Sequence, residues 1–195
     1  MRIESCLVRV ESGVGTRIDR HETRIDRHEA RVNRHEARLD VWGVRHDRAV
    51  TPEQVAARSA AVMWADDRAS QAMGMALQEV GPGRAVIAMT VRDDMVNGHG
   101  IGHGGTTFTL ADSAFAFACN SGNRRTVAAG AEIRFRAPTR LGDELVATAT
   151  ERSRDGRDGV YDVVVRAGET VVAEFVGRSR EIGGALWDGA GEERP

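Results

Sequence analysis

Near the middle of this chain an asparagine, two histidines and five glycines stand beside a single carboxylate. Asn97 to Gly105 reads NGHGIGHGG and runs directly into TTFTLADSAFAFACN, an almost wholly apolar stretch with Asp112 at its centre. A carboxylate in apolar surroundings is costly unless it is paired, so its presence there asks for a reason. A loop that ends in paired glycines ahead of a helix leaves backbone N–H groups free where the helix begins. Donors at a helix start, with a carboxylate further along the same helix, suit chemistry on a carbonyl group.

Other readings of the same residues are weaker. Gly100 to Gly105 matches G-x-G-x-x-G, but a dinucleotide site needs a parallel βαβ unit with an acid about twenty residues on, and β pattern follows here instead. His99, His103 and Asp112 can be drawn as a metal triad. The intervening glycines oppose the helix that would aim both imidazoles at one ion, so bracing of the loop is the favoured role. Asp112 has a structural alternative, satisfaction by nearby N–H or hydroxyl groups. Its helical neighbours Phe108, Phe115, Ala116 and Cys119 form an apolar face that favours function. Cys119 has no cation nearby to make it a nucleophile and reads as core filler.

The elements that must position these groups are legible around them. Thr51-Pro52-Glu53 opens a helix reaching about Trp64, and a second helical piece from Asp66 to Met73 closes at Gly74. Strands are expected at Met75 to Val80 and Arg84 to Val91, then the glycine loop and the apolar helix to about Asn120. Ala131, Ile133 and Phe135 alternate with charged residues as a half-buried strand, opening an antiparallel meander that continues through Leu145 to Arg152, Tyr161 to Val165 and Thr170 to Ile182. A helix apolar nearly all round must be buried, and a curved sheet is the only partner long enough to wrap it.

Composition sets mild bounds. The chain has 195 residues, 41% of them hydrophobic, with a formal net charge of −2, and nothing points to a nucleic-acid partner. Every one of the 27 basic residues is Arg, and Cys6 and Cys119 offer neither a disulfide framework nor metal-ligand spacing. The start shows no signal-peptide pattern and no run suits a membrane span, so a cytoplasmic protein is expected. Residues 17–40 repeat RIDRHEA-like heptads, with Ile18, Ile25, Val32 and Leu39 in one row and His21, His28 and His35 where a coiled coil needs its second apolar row. A solvated helix or weak association stalk competes here with a segment of no structural role, such as an extension upstream of a true start near Met63.

The run Asn97-Gly98-His99 through His103-Gly104-Gly105, followed by Leu110-Ala111-Asp112-Ser113-Ala114-Phe115-Ala116, resembles the hotdog-fold acyl-CoA thioesterases of phenylacetic acid degradation. The likeness extends to Gly159-Val160-Tyr161-Asp162 and Ile182-Gly183-Gly184, covers roughly residues 55 to 185, and leaves the heptads outside. It departs at Ala137, where the family often has Arg before the proline, and at Ser179-Arg180-Glu181, where the family is more basic. The resemblance implies an α+β hotdog fold, an antiparallel sheet around a central apolar helix. It implies hydrolysis of an aryl-acyl (phenylacetyl-type) or medium-chain CoA thioester, without cofactor or metal. Asp112 would be the catalytic carboxylate, as general base or as nucleophile. Gly104 would donate its N–H to the thioester carbonyl, Asn97 would hold water or substrate, and His103 would support the loop. The family works as a homodimer or homotetramer in which the Asp of one subunit faces the loop of the other. The corresponding division is residues 1–50 as a non-catalytic extension, 51–185 as the thioesterase domain and 186–195 as a mobile tail. A hotdog hydratase and a non-catalytic acyl-CoA-binding regulator are the alternatives. The mid-helix place of Asp112 disfavours the hydratase, and the full set Asn97, Gly104 and Asp112 disfavours the regulator.

Overall fold

In the computed structural model, residues 50–188 are described, and the heptad repeat lies outside them. Helix α1 (Pro52–Asp66) starts at a capping box. Thr51 Oγ1 accepts the Gln54 N–H, and the Gln54 side chain accepts the Thr51 N–H, so two orphan donors are satisfied locally. A short helix α2 (Arg68–Ala72) follows, N-capped by Asp67. Strands β1 (Ala76–Gly81) and β2 (Arg84–Thr90) form a hairpin turned at Gly83, whose φ of +67° only glycine adopts freely. Then come a 3-10 turn at Asp93–Met95, helix α3 (Gly104–Asn120), and strands β3 (Thr126–Phe135), β4 (Glu144–Asp155), β5 (Asp158–Ala167) and β6 (Thr170–Glu181).

All six strands belong to one antiparallel sheet in the order β1-β2-β4-β5-β6-β3. The expected meander therefore begins only at β4. Strand β3 pairs with β6 at the far edge, because the free side of β4 is taken by β2 from Arg84 opposite Thr150 to Thr90 opposite Glu144. Alternation identifies a strand but says nothing of its neighbours.

The sheet curls around α3, whose Leu110, Ala111, Ala114, Phe115, Phe117 and Ala118 are buried. Phe115 lies against Tyr161 and Phe175, with ring centroids 5.4 and 5.9 Å away, and a Cβ on Gly177 would stand 2.7 Å from its ring. Gly177 thus lets the helix press directly onto β6. Phe117 meets Trp64 from α1, while Phe108, only partly buried, meets Phe175 edge-on at 5.4 Å.

Strand β3 departs from the half-buried pattern expected of it. Only Thr126 is buried and Ile133 partly so, and Phe135 is 54% exposed. It is the outermost strand, and α3 packs mainly on β2, β4 and β5, so this chain leaves its inward side uncovered. The expected tail also begins with an anchored stretch. The Asn123 carboxamide accepts the Leu186 and Trp187 N–H groups and donates to the Trp187 carbonyl, and the Trp187 indole donates to buried Ser59. Residues 189–195 lie outside the described part.

Candidate active site

The glycine loop is closed by its own backbone. The Asn97 N–H donates to the Ile101 carbonyl (2.8 Å), the Gly100 N–H returns to the Asn97 carbonyl (2.9 Å), and Val96 bridges Gly102. Gly100 turns the chain at a φ of +73°. The Asn97 Oδ1 accepts the His99 N–H at 2.9 Å, which holds this carboxamide in place while His99 itself stays exposed. Two bonds then fix the loop to its surroundings, from His103 N–H to Met95 carbonyl (2.7 Å) and from Gly102 N–H to Thr139 carbonyl (2.8 Å).

His103 is the N-cap of α3. Its backbone is extended, and its Nδ1 accepts the Gly105 N–H at 2.9 Å, satisfying one of the orphan donors of the helix start. The preceding donor, the N–H of Gly104, has no acceptor among the described residues. Gly104 lines a cavity of about 390 Å³ together with Asn97, Thr107, Phe135, Arg136 and Thr139. A free N–H at a helix N-terminus, beside a carboxamide and apolar walls, is suited to donating to a polarised carbonyl oxygen.

Asp112 lies two turns further along α3, half-buried, with no side-chain hydrogen bond among the described residues. Burial pushes its carboxyl above the ordinary carboxylate range, since the charged form loses hydration and gains no partner. Next to it, Ser113 Oγ meets Ser70 Oγ at 2.9 Å, tying α3 to α2. Cys119 is buried and its thiol is pushed up to about 12, leaving no thiolate near neutral pH.

The structure therefore brings Asn97 and Gly104 to one cavity, with His103 bracing the loop behind them. It does not bring Asp112 there. Asp112 is eight positions along the helix from Gly104, about 12 Å at the helical rise, beyond the reach of one carbonyl and its attacking water. Among the described residues, no three His, Cys, Asp or Glu side chains gather at metal-binding distance. Of the lining from the end of β3 and the connection after it, the sequence marks Phe135 only as a strand residue and the stretch before Pro138 only as a departure from the family pattern, and it does not single out Thr139. These residues sit some thirty positions beyond the loop, and no spacing rule links them to it. Arg136 is held by an ion pair to Glu174.

A family model described as the thioesterase superfamily matches residues 99–174. The acyl-coenzyme A thioesterase PaaI of Escherichia coli K12 is 42% identical over 130 residues, covering 66% of this chain and 93% of that protein. The chain belongs to the thioesterase superfamily. The structure of E. coli PaaI, described as coming from the phenylacetic acid degradation operon, superposes with a TM-score of 0.68 at 40% identity, over 69% of this chain and 99% of that one. A putative esterase of Deinococcus radiodurans is 39% identical over 111 residues, 55% of this chain and 75% of that protein. The sheet wrapped on α3 is accordingly the hotdog fold of this superfamily. No helix among the described residues of this thioesterase-superfamily chain is long and apolar enough to cross a membrane.

Proposed function

We propose that this chain hydrolyses an acyl-CoA thioester, of an aryl-acetyl or medium-chain acid, to the free acid and CoA. The observation that carries the reading is the unpartnered N–H of Gly104, a residue at the start of α3 that lines the cavity shared with Asn97. In thioester hydrolysis the carbonyl oxygen gathers negative charge as the tetrahedral centre forms. A fixed donor at that point, reinforced by the helix dipole, stabilises the transition state more than the ground state. The relationship to PaaI supports the CoA thioester as substrate.

In this proposal Asp112 supplies the attack. As a base it takes a proton from water while the hydroxyl adds to the thioester carbon. As a nucleophile it adds directly, and water then opens the resulting anhydride. In either route the C–S bond breaks and CoA leaves as the thiolate, which takes up a proton. The raised pKa of Asp112 makes the carboxylate a better base than an exposed one. Asn97 holds water or substrate, and His103 keeps the first helical turn in shape.

The separation of Gly104 from Asp112 along one helix supports a homodimer, with Gly104 of one chain working with Asp112 of its partner. Uncovered β3, ten residues long, offers the free edge along which a second copy extends the sheet. A tetramer, two such pairs, is compatible with the same sites. The thioesterase domain is placed at 51–185, with residues 1–50 outside the chemistry. The free thiol of Cys119 suits the reducing cytoplasm. The reading is tested by free-thiol release from a panel of aryl and aliphatic acyl-CoAs. Turnover of at least one class supports it, and no release from any would overturn it.

A further inference from the structure

We infer that Thr139 is a positioning residue for the Gly104 donor, seating the glycine loop through a steric interlock with Gly102. Thr139 lies on the connection after β3 and is only 4% exposed. Its carbonyl accepts the Gly102 N–H at 2.8 Å. Its Oγ1 lies 2.0 Å from the point where a Cβ on Gly102 would stand, and its own Cβ lies 3.2 Å from that point. Gly102 has no left-handed backbone to explain its identity, so close approach is the reason for glycine there. The threonine side chain occupies the space a side chain at position 102 would need.

The interlock matters because Gly102 is two residues before the free N–H. Gly102 is tied to Thr139, His103 to Met95, and Gly104 follows immediately on the cavity wall that Thr139 also lines. A side chain at position 102 must either force the buried Thr139 side chain out of its place or lift the loop off it, and in lifting, the Gly104 N–H moves with the loop. A displacement of about 1 Å in a group that stabilises a transition state can cost on the order of 100-fold in rate. Such a loss falls on kcat, since the donor acts most strongly on the developing oxyanion. This inference rests on the role proposed for Gly104.

The test is a cycle in the full-length protein of Gly102→Ala, Thr139→Gly and the pair, reading kcat, KM and thermal unfolding. Gly102→Ala is expected to lower kcat on the order of 100-fold with KM little changed. The pair is expected to recover at least about tenfold of that, because Thr139→Gly removes both atoms the new methyl would strike. Near-native kcat in Gly102→Ala overturns the interlock, and so does a folded double variant no faster than Gly102→Ala alone. Losses confined to KM would make Thr139 a substrate contact instead. Should Gly102→Ala fail to fold, folding restored by the second substitution supports the interlock, and its absence overturns it. The unfolding cycle does not depend on chemistry. Non-additive melting temperatures beside full activity of Gly104→Pro would uphold the interlock and sink the role of Gly104.

Discussion

Replacing Gly104 by proline removes one hydrogen-bond donor and sets the ring Cδ where its hydrogen pointed. Position 104 is the first residue of α3, where proline is favoured because its fixed φ suits the helix start. The preceding residue, His103, has φ −67° and ψ 129°, the extended backbone that a following proline requires. No intrachain hydrogen bond is lost, since the Gly104 N–H has no acceptor among the described residues. The new Cβ would meet Phe135 Cζ at 3.0 Å, the far end of a side chain that is 54% exposed in the single chain. The cost to folding should therefore stay below about 1 kcal/mol. The cost to catalysis should be that of an oxyanion donor, about 10²–10³ in kcat, or about 2.7–4 kcal/mol. Gly104→Ala controls for the added Cβ, because it keeps the N–H. Thiol release followed with a chromogenic thiol trap gives kcat and KM, and thermal unfolding checks the fold. A folded Gly104→Pro protein with kcat within threefold of the Gly104→Ala control would refute the donor role.

Asp112→Asn should nearly abolish thiol release while leaving the fold intact, because Asn keeps the shape but neither ionises nor attacks. It should also raise the melting temperature at neutral pH. A carboxyl whose folded pKa is raised contributes stability below its unfolded pKa and loses it as pH rises through the folded value, so at pH 7 ionised Asp112 is a burden the amide lacks. The same shift places the acid limb of the wild-type rate profile above the pH expected for an ordinary carboxylate, and a profile flat down to pH 4 would contradict it. Truncation to a chain starting near Thr51 should preserve activity and assembly state, since α1 is closed by its own capping box; loss of the oligomer in light scattering would show the repeat to be an association element. Asn123→Ala should destabilise by about 1–3 kcal/mol in denaturant titration, because two N–H groups and one carbonyl of the terminal strap lose their partner.

Local grammar made most of the elements readable. The Thr51 cap, the Gly83 turn and the largely apolar run after Gly105 each act within a few residues, and α1, the first hairpin and α3 fall within a residue or two of where the sequence puts them. Neighbour relations in the sheet were not readable. Ala131, Ile133 and Phe135 alternate like a buried face, yet their strand lies at an edge that this chain leaves uncovered. Likewise, Asn97, His103, Gly104 and Asp112 stand out by residue type in the sequence. The Thr139 wall against Gly102 does not, because a threonine after a proline carries no signal until the fold sets it against the loop. The separation of Gly104 from Asp112 was legible too, since the sequence already set the glycines at the helix start and the carboxylate mid-helix.

The shared site is tested most directly by mixing two inactive proteins, Asp112→Asn and Gly104→Pro, under conditions where subunits exchange. Each mixed dimer then holds one site with both groups intact and one with neither. Random pairing makes half the dimers mixed, so thiol release should return to about one quarter of the wild-type rate per chain. Demonstrated exchange with no recovered activity would contradict the account, because Gly104 and Asp112 would then not meet across the two-fold axis.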